Sequence, residues 1–107
     1  MTTFDNREAG YEAKFAHEQE LQFKAIVRRN KLIGHWAASK LGISGDDAEQ
    51  YASDMIRHSL KRTDDDDVVE KISQDFRAID LSYSEHRIRQ KLSRFMSMAL
   101  EEVAAGA

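Results

Sequence analysis

Apolar residues recur along this chain at steps of three and four rather than in alternation, a pattern that predicts helices throughout and no strands. The clearest stripe runs through Ile88, Leu92, Phe95, Met96, Ala99 and Val103, with Ser82 and Glu85 placed as a capping box ahead of it. Val68, Val69, Ile72, Phe76 and Ile79 outline a third helix behind the run Thr63 to Asp67. Ala48, Tyr51, Ala52, Met55 and Ser59 outline a second, opened by Ser44 with Asp47 and closed at Leu60 beside Lys61 and Arg62, cations that suit the negative end of a helix. The first full helix is expected from about Glu20 to Leu41, with Leu21, Ala25, Leu32, Ile33 and Trp36 within one face, Trp36 as core anchor and Gly42 just past the stop. Short connections between four helices predict an all-α fold, a small four-helix bundle over residues 19–107.

The first 18 residues read differently. They are acidic, sparse in aliphatics and dotted with aromatics, and they predict a flexible N-terminal arm. At about 100° per residue, Phe4, Tyr11 and Phe15 fall in one narrow sector, with Ile33 and Trp36 in or beside it. A helix extended through the arm would therefore carry one stripe in phase with the bundle. Two features weaken that extension: the stripe is nearly empty from Ala16 to Glu20, and Gly10 costs about 1 kcal/mol relative to alanine. Three aromatics alone do not offset the ordering entropy, so the arm is expected to be disordered or frayed when free and helical when bound. Asp5, Arg7, Glu8, Glu12 and Lys14 alternate in sign around the stripe, a pattern suited to a helix that docks in a partner's groove.

Charge sharpens the division. Residues 1–23 hold five acids and two bases, and residues 24–43 hold five bases and no acid. Residues 44–80 then hold eleven acids against five bases, and residues 81–107 three against four, for a net charge of -3. A basic stretch inside an acidic chain predicts attraction between its own segments rather than a nucleic-acid footprint, which needs a basic face. With 107 residues and 41% hydrophobic content the chain supports one modest core. The absence of cysteine excludes disulfides and thiolate chemistry, and no apolar run approaches the length of a membrane span. The expectation is a cytoplasmic protein, monomeric when free.

Catalytic groups do not assemble from this pattern. His17, His35, His58 and His86 fall on four segments, and no pair has the i, i+4 spacing of a helical metal site. The aspartates at 64–67 lack the alternating ligands and turn glycine of a calcium loop, and they read as acids complementing a helix N-terminus. No phosphate loop or activated nucleophile is present, so a binding or regulatory protein is expected, not an enzyme, with no cofactor or metal required.

The segments TTFDNRE, YEAKFAHEQELQFKA and RRNKLIGHWAASKLG closely resemble the zeta subunit, the inhibitor of the F1F0-ATP synthase of α-proteobacteria, and the similarity continues more loosely to the end of the chain. The resemblance implies a four-helix fold with a mobile N-terminal segment. It also implies a partner, the F1 head with its alpha, beta and gamma subunits, into which that segment inserts as a helix at a catalytic interface and blocks hydrolysis while permitting synthesis. Inhibitory contacts would come from Phe4, Asp5, Arg7, Glu8, Tyr11, Glu12 and Phe15, with Arg28, Arg29 and Asn30 as a supporting stretch. It implies a location peripheral to the inner membrane through F1, with no membrane insertion and no DNA or RNA partner. Weak adenine nucleotide binding is implied for some members, on residues this sequence does not identify. Gly10 departs from the family's pattern of better helix formers, which implies a weaker bound helix. The competing reading is a small helical adaptor or nucleic-acid-associated module that binds through the basic stretch 24–40.

Overall fold

The computed structural model describes the backbone of residues 2–61 and 65–106 and the side chains of residues 16–58 and 65–106. These residues form four helices and no strand: α1 (Thr2–Lys40), α2 (Gly45–Lys61), α3 (Asp65–Ala78) and α4 (Glu85–Ala104). The expected all-α fold is the fold observed. From Ala25 onward α1 is the central strut, with α2 and α4 packed along it and α3 closing the bundle against both. The core is built from Ile33, Ala37, Met55, Val68, Val69, Ile72, Phe76, Ile88 and Leu92, so every helix contributes to one apolar centre.

Small residues let α1 and α2 approach closely. Gly34 faces Ala52, and a Cβ placed on Gly34 would lie 2.8 Å from the Ala52 Cα. That separation is too short for two carbons, so the glycine is required by contact rather than by backbone conformation. At one corner of the core Trp36, Phe76 and Tyr83 meet edge to face, with ring centroids 5.4 to 5.8 Å apart. Trp36 is half-buried there, anchoring the aromatic corner rather than the centre.

The stops of α1 and α3 follow one device. Gly42, at φ +77°, lets the Ile43 N–H donate to the Ala38 carbonyl and the Gly42 N–H to the Ser39 carbonyl, which closes α1 as a Schellman motif. The same pair of bonds ends α3, from Leu81 to Phe76 and from Asp80 to Arg77, with Asp80 at φ 57° in the left-handed position. This corrects the expected stripe of α3: Ile79 falls in the reversing turn and is 52% exposed, while Leu81 turns back onto the core in its place.

The start of α4 is likewise displaced from expectation. Ser84, not Ser82, is the N-cap, and its Oγ accepts from the Arg87 N–H at 3.1 Å. Residues 81–84 lead into that cap without regular structure, with Leu81 and Tyr83 packed on the core and Ser82 and Ser84 exposed. The helix starts only after Tyr83 has reached Trp36 and Phe76.

At the start of α3, Asp65, Asp66 and Asp67 occupy the first turn, as the dipole favours. The other members of that run, Thr63 and Asp64, lie outside the described residues, as do the side chains of Ser59 and Leu60.

Two substitutions test this packing. Gly34→Ala gains about 1 kcal/mol of helix propensity but forces α1 and α2 apart at about 2 kcal/mol, so a net loss near 1 kcal/mol is expected as a lower urea midpoint with unchanged slope. Asp80→Gly removes a left-handed non-glycine residue and is expected to add about 0.5 to 1 kcal/mol, seen as a thermal midpoint a few degrees higher.

Candidate functional site

The largest feature that the core does not account for is the first part of α1. The helix passes through Ala16 to Glu20 without interruption, although no apolar stripe supports it there. Residues 16–20 and 22–24 are exposed, Leu21 is half-buried, and full burial begins at Ala25. The boundary expected near Glu20 is thus where packing begins, not where helix begins. No proline lies between Thr2 and Lys40, so the backbone contains no obligatory stop.

At about 1.5 Å per residue, the helix through Lys24 extends roughly 35 Å. The molecule is accordingly elongated, 66 × 25 × 22 Å. At the root of the projection, Lys24 pairs with Glu20 at 3.3 Å, an i, i+4 contact that supports helix locally. The side chains of Phe4, Asp5, Arg7, Glu8, Tyr11, Glu12 and Phe15 lie outside the described residues.

Arg28, Arg29 and Asn30 occupy different surroundings from the arm. Arg28 donates to Glu102 at 3.2 Å, tying α1 to the end of α4. Arg29 is only 5% exposed; its guanidinium meets Asp65 at 2.9 Å and its Nε donates to the Asn30 Oδ1 at 3.1 Å. Asn30 is fully buried. Three consecutive residues therefore point around α1 into the bundle, toward α4, α3 and the interior. The sequence signal for this arrangement is the acid-free stretch 24–43 next to the acid-rich stretch 44–80.

The cations of that stretch are largely engaged internally, since Lys24, Arg28 and Arg29 all hold carboxylates of this chain. A phosphate-binding face needs such cations free and turned outward. The same economy continues in α3, where Asp66 pairs with Arg89 at 2.6 Å and raises the affinity of that guanidinium for its proton.

Among the described residues no group of three histidine, aspartate or glutamate side chains is placed to hold a metal ion. Among the described residues, the one strongly perturbed group in an interior setting is Tyr51. Burial, and then its 2.7 Å hydrogen bond to Asp75, push the phenol well above its usual range, so it stays protonated as a donor. Lys71 shares the same Asp75 oxygen at 3.1 Å. This cluster ties α2 to α3 and offers no free base or nucleophile. No described helix is long and apolar enough to cross a membrane.

What the geometry presents is a helical rod on a rigid, internally neutralised base. Known proteins are similar to this chain in sequence and fold. The family model for ATPase inhibitor subunit zeta matches residues 1–102. Three solved chains match the structure, and one of them, a solution NMR structure, aligns with a TM-score of 0.69 at 34% sequence identity, over 81% of this chain and 99% of its own length. No curated protein matches. With a match over nearly its full length and a similar solved fold above 30% identity, this chain belongs to the ATPase inhibitor subunit zeta family.

Proposed function

We propose that this protein is a brake on the F1 head of ATP synthase, and that it acts by inserting its arm, residues 1–18, as a helix into a catalytic interface beside the rotor. The observation that carries the reading is the continuity of α1, one helix from Thr2 to Lys40 whose body is locked in the bundle and whose first part leaves it. A partner that grips the arm is thereby connected to the whole domain through a single helix.

The brake needs no chemistry of its own. It needs binding free energy that is available in one rotational state of the enzyme and absent in the others. Phe4, Tyr11 and Phe15 would supply apolar anchors at the centre of the contact, and Asp5, Arg7, Glu8 and Glu12 a charged rim that orients the helix. Arg28, Arg29 and Asn30 support the contact indirectly in this reading, by fixing the body of α1.

Ordering sets the strength of the brake. A helical segment without tertiary packing is marginal in water, so part of the contact energy is spent on holding the arm helical. A reversible inhibitor is the expected outcome. The protein would act in the cytoplasm, at the inner membrane only through its partner.

Steady-state ATP hydrolysis by the cognate F1 head tests this. Full-length protein is expected to inhibit, while a chain lacking residues 1–18 keeps its thermal unfolding transition and loses inhibition. Equal inhibition by the truncated chain would refute the reading. Gly10→Ala, which favours the helical arm by about 1 kcal/mol, is expected to lower the half-inhibitory concentration about fivefold.

A further inference from the structure

The root of the arm carries an apolar feature that the bundle leaves unused. Phe23 is 56% exposed, more than any other large apolar side chain described. It lies at the rim of an open groove of about 390 Å³ between α1 and the end of α4, together with Leu21, Val27 and Val103, each half-buried. The cations that frame the groove are already engaged, Lys24 with Glu20 and Arg28 with Glu102. The groove thus sets apolar side chains among polar ones whose cations pair within the chain, a mixed lining of the kind that holds an interface anchor.

We propose that this groove is the seat onto which the rim of the F1 head closes once the arm is inserted, with Phe23 as its anchor; the proposal rests on the inhibitory reading above. Two arguments commit the groove to that occupant. The first is continuity: Phe23 lies five residues beyond the end of the arm, about 7.5 Å along the helix, so a protein that sheathes the arm reaches the groove next. The second is size. A cleft fitted to one helix is about 10 to 12 Å wide, whereas the bundle measures 25 × 22 Å in cross-section. Insertion must halt where α4 first flanks α1, and that place is the groove. The seat then fixes how deep the arm goes, and through depth it fixes which partner residues meet Phe4, Tyr11 and Phe15.

Two measurements on the full-length protein test this together. Phe23→Gln, which removes the anchor without lowering helix propensity, is expected to raise the half-inhibitory concentration for the F1 head about tenfold with unchanged thermal unfolding, and Phe23→Met to recover most of it. A photoreactive benzoylphenylalanine at position 23 is expected to crosslink to a subunit of the head. Wild-type potency in Phe23→Gln, or crosslinks formed only to a second copy of this chain, would overturn the seat while leaving the brake intact. Absence of inhibition by the wild-type chain would instead remove the brake, and the seat with it.

Discussion

A guanidinium withdrawn from water needs a carboxylate, and the architecture of this protein is arranged around that requirement at Arg29. Its partner Asp65 is in the first turn of α3, so the pair pins the start of α3 to the middle of α1. Pairs of this kind contribute little net stability, because desolvation offsets most of the attraction, but they penalise any other register heavily. One residue earlier Arg28 holds the last turn of α4, and four residues after Asn30 the bare Gly34 admits Ala52 of α2. All three neighbours are thus positioned from a seven-residue span of a single helix. That span gives α1 one fixed direction as it leaves the bundle.

The consequence for function is mechanical. A helix clamped on three sides transmits force and orientation to its free end, whereas an arm joined by a loop would not. The acid-rich and base-rich segments of the chain serve the clamp, and their charges cancel within it. In the proposed function, binding is left to the arm and its root. For a member of an inhibitor family this division is physically reasonable, since a blocking helix performs no reaction and needs only a defined pose.

Much of this was legible from periodicity. The stripe of α4, the acids opening α3 and the glycine that stops α1 are local signals, and each is where the pattern puts it. The failures have a common cause, which is that tertiary contact chose between local options of similar merit. Ser82 and Ser84 both suit a cap, and the choice fell to the residue that follows Tyr83, because Tyr83 first has to meet Trp36 and Phe76. Ile79 continues a helical stripe on paper, yet the left-handed Asp80 turns the chain and gives the core position to Leu81. The triplet Arg28-Arg29-Asn30 reads in the sequence only as a supporting stretch, with no sign of which helices it meets. About 20 Å of helix separates Arg28 from Phe15, and only a knowledge of which segments pack together reveals the triplet as part of the clamp.

In the proposed mode of action, binding resides in the arm and its root while the clamp stays unchanged. Amide hydrogen exchange of the full-length protein, alone and with the F1 head, addresses it residue by residue. Strong new protection is expected only in residues 2–24 and at the end of α4, with exchange in the rest of the bundle unaltered. Protection appearing instead along the basic stretch 24–40, with residues 2–18 unaffected, would contradict it.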